Sequence, residues 1–114
     1  MKIIRQNEVS VIEDVCGEIR EMYNSANMSI SVATITGKST SHKHETLEEV
    51  YFIAKGCGKI FIGSESAHIQ QGDLIAIPKN EFHHIETNQN EVVEVIVATY
   101  PKFNNKDVIK EVTS

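Results

Sequence analysis

The stretch HKHETLEEVYFIAKG, residues 42–56, sets the expectations for both the fold and the chemistry of this chain. His42 and His44 are two residues apart, so both side chains point to the same face of an extended strand. Glu49 follows five residues after His44, and a short turn would bring it to the same place. Two imidazoles and a carboxylate form a ligand set suited to a borderline divalent cation. The stretch therefore predicts a metal site on a β scaffold. A second stretch, GDLIAIPKNEFHH at residues 72–84, supplies His83 as a fourth candidate ligand.

Around these two stretches the sequence consists of short alternating or β-branched segments separated by turn residues. Strands are predicted at residues 28–36, 50–54, 59–62, 67–70, 74–77, 83–86 and 91–100. Residues 1–12 are predicted to form strand pieces, and the alternative of a helix over residues 12–23 is weakened by Gly17. A single helical turn is predicted at residues 105–110. Many short strands with little helix indicate an all-β sandwich or barrel.

The composition fits a small globular protein. The chain has 114 residues, of which 40% are hydrophobic, enough to bury a core. We therefore predict one domain over residues 1–114. The 16 acidic residues exceed the 11 lysines and arginines, the formal charge is −5, and no basic run occurs, which argues against nucleic-acid or membrane partners. No signal peptide or long apolar segment is evident, so the expected location is cytoplasmic.

The two cysteines, Cys16 and Cys57, do not form a CxxC motif. In a cytosolic protein such residues are usually free and behave as small hydrophobic side chains. Cys57 lies between two glycines and is expected to be the more exposed of the two. We therefore expect no chemical role for either residue.

Together the two stretches resemble the two sequence motifs of the cupin superfamily. The pattern G-x4-H-x-H-x4-E-x6-G is filled by Gly37, His42, His44, Glu49 and Gly56. The pattern G-x5-P-x4-H is filled by Gly72, Pro78 and His83. The motifs lie at about residues 37–56 and 72–88, with the short spacer of small single-domain cupins.

Three departures from the family pattern are visible, and none removes a candidate ligand. Four residues rather than five separate Gly37 from His42. Asn80 stands where the family has glycine, and asparagine also tolerates left-handed backbone angles. Thr87 stands where the family has asparagine. Only the geometry of the loops is affected by these changes.

The resemblance implies an all-β jelly-roll barrel, the double-stranded β-helix of cupins, with the ligands facing inward near one mouth. His42, His44, His83 and Glu49 would then hold one divalent transition metal ion, and zinc, iron, manganese, nickel and copper all suit these ligands. Three histidines and one carboxylate leave one or two positions for water or substrate. Such a site permits Lewis-acid polarisation or activation of bound water, and with iron it permits oxygen chemistry.

Two neighbouring residues compete for ligand positions. His84 adjoins His83 but points to the opposite face of a strand, and the distance from Pro78 favours His83. Glu48 competes with Glu49 in the same way, and the spacing to Gly56 favours Glu49.

Tyr51 shares the face of Glu49 on the next strand and is the candidate catalytic residue beyond the ligands. Its phenol would hydrogen-bond a substrate or act as an acid. The competing interpretation is a core aromatic residue whose hydroxyl lies at the barrel rim.

The intact ligand set favours a metal-dependent enzyme acting on a small organic substrate, of the dioxygenase or the sugar isomerase and epimerase type. The alternative is a non-catalytic module that binds a small metabolite. The resemblance also implies a homodimer, paired through the sheet opposite the mouth with an exchanged N-terminal strand. The apolar alternation in residues 1–12 would suit such a pairing.

Overall fold

The computed structural model describes residues 1–88 and 90–112. These residues form eleven strands and two short 3-10 helices. The strands are β1 (Ile12–Asp14), β2 (Gly17–Asn24), β3 (Ser29–Thr36), β4 (His42–Lys43), β5 (Glu48–Lys55), β6 (Cys57–Ile62), β7 (Glu65–Gln70), β8 (Leu74–Ile77), β9 (His83–Thr87), β10 (Val92–Tyr100) and β11 (Ile109–Lys110). The 3-10 helices span Gln6–Glu8 and Asn105–Asp107.

The strands form two antiparallel sheets that pack face to face. The six-stranded sheet has the order β1-β2-β3-β10-β5-β8, and the five-stranded sheet has the order β11-β4-β9-β6-β7. Six of the nine neighbouring pairs are not consecutive in sequence, which is typical of the crossed connections of a jelly roll. The predicted all-β jelly-roll architecture is confirmed.

The core lies between the two sheets and follows from the two-residue repeat of the strands. On β5 the side chains of Glu49, Tyr51 and Ile53 are buried, whereas Glu48 and Phe52 are exposed. The buried apolar residues of the other strands complete this core: Ile19, Ala33, Ile35, Ile60, Ile69, Ile77, Ile85, Val93 and Val95.

The turn between β5 and β6 shows why glycine stands at position 56. Gly56 has φ +87°, in the left-handed region that favours glycine. A Cβ at this position would also collide with the Val92 carbonyl oxygen. Because this single residue makes the turn, β6 already begins at Cys57, two residues before the predicted start.

The N-terminal prediction is wrong in part. Residues 1–11 contain no strand, and their regular structure is the 3-10 helix Gln6–Glu8. The alternative helix over residues 12–23 is also wrong, because β1 and β2 occupy that segment. Gly17 has φ +98° at the start of β2, a conformation incompatible with a right-handed helix. The strand prediction therefore holds only from Ile12 onward.

The helical turn predicted at residues 105–110 is shorter than expected. The 3-10 helix ends at Asp107, and Ile109–Lys110 then pairs with β4 as β11. The side chain of Asn104 accepts a hydrogen bond from Lys106 N at 3.0 Å and begins this turn. The tail thus joins the sheet that carries His42. Within the described residues, no helix is long and apolar enough to cross a membrane.

Candidate metal centre

Three histidines meet between the two sheets. His42 on β4 and His83 on β9 are direct partners across the antiparallel pair, and His44 follows β4 by one residue. Each offers a ring nitrogen, and these nitrogens lie within 4.8 Å of one another. The three side chains are at most 3% exposed. The predicted clustering of these histidines is therefore present in the fold.

The three rings share one pattern of hydrogen bonding. The Nδ1 atoms of His42, His44 and His83 lie 2.7, 2.8 and 3.0 Å from the backbone carbonyl oxygens of Thr40, Asp107 and Glu81. A carbonyl oxygen can only accept, so each Nδ1 carries the proton and donates it. In the neutral form of each ring, Nε2 then carries the lone pair that a metal ion would need. A second hydrogen bond of this kind is how proteins orient histidines that ligate metals.

Glu49 adds a carboxylate to this cluster. Its Oε1 lies 3.2 Å from His83 Nε2, and its Oε2 lies 3.6 Å from His44 Nε2. Glu48, the competing residue, points outward and is exposed. The position of Glu49 therefore agrees with the choice made from its spacing to Gly56.

The facing atoms at this cluster are acceptors, and several of them lack partners. His44 Nε2, His83 Nε2 and Glu49 Oε1 are buried and make no hydrogen bond among the described residues. Buried polar atoms without partners are costly, and lone pairs that face one another repel. A divalent cation between them would relieve both penalties. The residues present thus fit a metal ion.

His84 lies on the other side of β9. Its ring stacks on Phe61 with centroids 4.6 Å apart, and its Nε2 lies 2.9 Å from Glu86 Oε2. This histidine is partly exposed and does not reach the cluster. The choice of His83 over His84 as the inward residue agrees with the structure.

Tyr51 is buried beside the cluster. Its ring lies 5.9 Å from the His83 ring, and its hydroxyl lies 3.7 Å from Cys16 Sγ. The hydroxyl is thus directed into the interior and not to an exposed rim, because Tyr51 is only 3% exposed. Burial, the nearby Cys16 and the nearby Glu49 raise the pKa of Tyr51 well above its ordinary value. The phenol therefore stays protonated at neutral pH.

Comparison with known proteins agrees with this arrangement. The family model described as "Cupin domain" matches residues 30–99. This chain is a member of the cupin family. A relative from Methanocaldococcus jannaschii, an uncharacterized protein, is 31% identical over 81 residues, which are 71% of this chain and 65% of that protein. A protein from Aquifex aeolicus, also uncharacterized, is 23% identical over 96% of this chain and 87% of its own length.

Solved structures share the fold of this cupin at low identity. A protein from Planctomyces limnophilus superposes with a TM-score of 0.84 at 19% identity and covers 96% of both chains. A nucleoside dehydratase superposes with a TM-score of 0.82 at 15% identity, over 97% of this chain and 91% of its own. The polyketide cyclase of Streptomyces resistomycificus superposes with a TM-score of 0.83 at 15% identity, over 100% of this chain and 87% of its own. At such identities the likeness shows the fold alone.

Two departures of this cupin from the family motifs have structural explanations. Asn80 has φ +66°, so it adopts the left-handed conformation otherwise supplied by glycine. Thr87 Oγ1 accepts a hydrogen bond from Gly37 N at 2.7 Å. This bond joins the end of the second motif to the start of the first motif.

Asp107 at the C-terminal tail fixes the loop that carries His44. Its carboxylate accepts hydrogen bonds from Glu45 N at 2.9 Å, from Thr46 N at 3.0 Å and from Thr46 Oγ1 at 2.7 Å. Burial raises the pKa of Asp107, but these hydrogen bonds outweigh burial and hold the pKa below its usual value. Its own carbonyl oxygen accepts from His44 Nδ1. One residue thus shapes the loop and orients the ring.

The His42 ring is held neutral by its surroundings. Burial, followed by electrostatic repulsion from the neighbouring His83 when both rings are protonated, lowers the pKa of His42 from 6.5 to about 4. The ring is therefore unprotonated at Nε2 at neutral pH, as a metal ligand must be.

A cavity of about 50 Å³ opens beside the cluster and is lined by His42, His44 and Glu49. Its walls are apolar at Ile19, Val97 and Phe103, among other residues. Two further carboxylates, Asp14 and Glu21, also line it. Among the described residues, no lysine or arginine lines this cavity.

Two residues at the site were not identified from the sequence. Cys16 was expected to be a small buried hydrophobe, and it is buried, but its thiol lies 3.8 Å from His42 Nε2. Cys57 is exposed, as expected. Nothing in the sequence around Asp107 indicated a role at the site. Its only local marker is Asn104, three positions earlier, a residue type that often caps a helical turn. Both Cys16 and Asp107 reach the site through pairings distant in sequence.

Proposed function

We propose that this cupin is a metal-dependent enzyme acting on a small organic molecule, with the metal ion held by His42, His44, His83 and Glu49. The observation that carries the proposal is the common orientation of the three rings. Each Nδ1 is fixed to a backbone carbonyl oxygen, which leaves each Nε2 with a free lone pair. A donor set of three histidines and one carboxylate suits zinc, iron, manganese or nickel and leaves positions open for a substrate.

A bound divalent ion would polarise a substrate oxygen or lower the pKa of a bound water. Side chains around the ion would supply two further requirements of such a reaction, which are exclusion of water and a proton donor. Ile19, Val97 and Phe103 exclude bulk water from the cavity. Tyr51, whose raised pKa keeps the phenol protonated, would donate a hydrogen bond towards the site.

The charge and the volume of the cavity favour one class of substrate. Asp14 and Glu21 line it with no facing lysine or arginine among the described residues, so the protein offers no positive side chain to a phosphate or a second carboxylate. The cavity of about 50 Å³ holds only a few non-hydrogen atoms at the cluster. We therefore propose a small neutral or cationic substrate and disfavour sugar phosphates.

The identity of the metal separates the proposed reaction classes. Iron would support a dioxygenase, because its open positions take part in oxygen chemistry. Zinc, manganese or nickel would support an isomerase, epimerase or lyase that depends on Lewis-acid polarisation.

The second candidate function is a non-catalytic module that binds a small metabolite. The phenol of Tyr51 and the thiol of Cys16 both have raised pKa values in a buried environment, so neither acts as a base. If Glu49 is committed to the metal, the remaining carboxylates that line the cavity are Asp14 and Glu21. A bound metal ion without turnover of neutral or cationic small molecules would favour this function.

Elemental analysis of protein purified without chelator tests the proposed centre. We expect one transition metal ion per chain in the wild type and its loss in His83→Ala, which removes an inward ligand. His84→Ala is the matched control, because the adjacent ring lies on the opposite face and stacks on Phe61. Metal loss in both variants, or retention in both, would contradict the assignment. Absence of metal from the wild type after reconstitution would overturn the metal-dependent function.

We also propose that the cupin is a homodimer and acts in the cytoplasm. Phe52 and Leu74 are cross-strand partners on the outer face of the six-stranded sheet, with 39% and 64% of their surfaces exposed. Ile3 and Ile12 in the N-terminal segment are also exposed. A second copy would cover such apolar surface. Both cysteines are free, as expected in a reducing compartment.

Light scattering tests the dimer. We expect the mass of two chains for the wild type and a shift towards one chain for Leu74→Lys, which places a charge beside Phe52 in the exposed apolar patch. Glu65→Lys on β7, in the other sheet, is the control and should keep the dimer mass. A wild-type mass of one chain would overturn the proposed dimer.

A further inference from the structure

The thiol of Cys16 lies against the candidate metal centre. Cys16 is 8% exposed, and its Sγ lies 3.8 Å from His42 Nε2 and 3.7 Å from the Tyr51 hydroxyl. It lines the same cavity as His42, His44 and Glu49. A buried thiol in an ordinary core contacts apolar side chains. Cys16 belongs to the buried core, but its Sγ contacts an imidazole and a phenol, and it shares a cavity with His44 and Glu49.

The position of this thiol is determined by the backbone of the turn between β1 and β2. Val15 O accepts a hydrogen bond from Thr40 N at 2.8 Å, which ties the turn to the segment that precedes His42. Gly17 packs so closely that an added Cβ would lie 2.6 Å from the Thr34 carbonyl oxygen. Contacts on both sides of Cys16 therefore hold the thiol at the cavity.

The separation between the sulfur and the ring nitrogen is consistent with two ligands of one metal ion. Zinc–sulfur bonds are about 2.3 Å and zinc–nitrogen bonds are about 2.0–2.1 Å, so the two ligand atoms lie about 3.1–3.8 Å apart for the angles of about 90–120° found between neighbouring ligands of a five-coordinate ion. The distance from Cys16 Sγ to His42 Nε2 is 3.8 Å. The corresponding distance from Glu49 Oε1 to His83 Nε2 is 3.2 Å, so a carboxylate and a thiol approach different histidines.

We propose that Cys16 is a further ligand of the metal ion, supplying a sulfur donor in addition to the histidines and Glu49. This proposal rests on the metal centre proposed above. As the sulfur–metal bond forms, the S–H bond breaks, the proton passes to solvent, and the oxidation state of the metal does not change. The Tyr51 hydroxyl is within reach to donate a hydrogen bond to the coordinated sulfur.

A sulfur ligand changes which metals the site prefers. Thiolates favour zinc, copper and iron over manganese, because manganese prefers oxygen ligands. The mixed set of nitrogen, oxygen and sulfur atoms would therefore select against manganese. It would also make metal retention sensitive to reagents that modify thiols.

Cobalt substitution tests the proposal without an activity assay. Metal-free protein carrying Cys57→Ser, which removes the exposed second thiol, is loaded with Co²⁺ alone. We expect visible absorption from bound Co²⁺ together with a strong sulfur-to-cobalt charge-transfer band in the near ultraviolet. Adding Cys16→Ser should abolish the ultraviolet band, while cobalt absorption from the histidine ligands persists.

The outcomes separate this proposal from the proposed function. Bound Co²⁺ without a charge-transfer band in Cys57→Ser would overturn the sulfur ligand and leave the histidine centre intact. This result does not depend on whether the Cys16 variant folds. Persistence of the band after Cys16→Ser would also overturn the assignment. Failure of Co²⁺ to bind at all would overturn both the sulfur ligand and the metal centre.

Discussion

The inner faces of the strands differ between their two ends. On β5 the buried side chains change from Glu49 through Tyr51 to Ile53, and on β9 they change from His83 to Ile85. The apolar end needs no partners beyond close packing. The polar end buries a carboxylate and three imidazoles, which favours unfolding unless hydrogen bonds or a cation compensate. The apolar end therefore supplies the stabilising core, whereas the polar end adds little stability until a cation or another partner compensates its buried groups.

The largest expected effect on stability lies at the apolar end. Ile53 is fully buried between the sheets, so Ile53→Ala leaves a cavity and should lower the free energy of unfolding by about 2–5 kcal/mol. Ile53→Val, with one methylene removed, should cost about 0.5–1.5 kcal/mol. Urea unfolding followed by circular dichroism measures both values. Elemental analysis should show the same metal content as the wild type in the folded variants. A loss of metal without a loss of stability would contradict the division between the two ends.

The polar end should introduce a dependence on pH in the metal-free protein. The pKa of His42 falls from 6.5 to about 4 on folding, so the unfolded chain binds more protons between these values. Stability should therefore be constant above pH 6.5 and should decrease as the pH falls towards 4. The expected loss from this residue is at most about 3 kcal/mol.

Urea unfolding at a series of pH values measures this effect in protein treated with chelator. His42→Gln should flatten the decrease in stability over this pH range, whereas His84→Gln, outside the cluster, should retain it. An equal slope in His42→Gln and the wild type would show that other groups control the acid sensitivity.

A smaller effect is expected where the tail supports the polar end. In Asp107→Asn the amide offers one acceptor oxygen in place of two to the N–H groups of Glu45 and Thr46, so the His44 loop is held less firmly. Loss of such support typically lowers metal affinity by about 10- to 100-fold. Competition with a chromogenic chelator measures the affinity. Asn105→Ala, an exposed residue of the same 3-10 helix, is the control. Equal affinities in the two variants would exclude a positioning role for Asp107.

The sequence was sufficient to predict those features that depend on local pattern. Two-residue alternation predicted the inward face of β5, and motif spacing selected Glu49 over Glu48 and His83 over His84. It was also sufficient to recognise Asn80 as an acceptable replacement for glycine, since its φ is +66°. These predictions rest on backbone geometry within a few residues, which the order of amino acids determines directly.

Features that depend on distant pairing could not be predicted. The tail pairs with β4 through Ile109 and Lys43, and no local pattern reports the partner of a two-residue strand. The position of Cys16 follows from a turn attached to Thr40, and its sequence context resembles that of any buried cysteine. The apolar residues Ile3 and Ile4 suggested a strand, but they have no strand partner within the described part of this chain. A stable strand needs a hydrogen-bonded partner strand as well as residues with high β propensity.

The bond between His44 Nδ1 and Asp107 O has a consequence for synthesis of the protein. These residues are 63 positions apart in sequence, and His44 emerges first from the ribosome. At about 5–20 residues per second, Asp107 follows roughly 3–13 s later. Until then His44 Nδ1 lacks its carbonyl partner, so the tail does not yet fix the orientation of the ring. The order of translation thus places the final assembly of the proposed metal centre after the arrival of the tail.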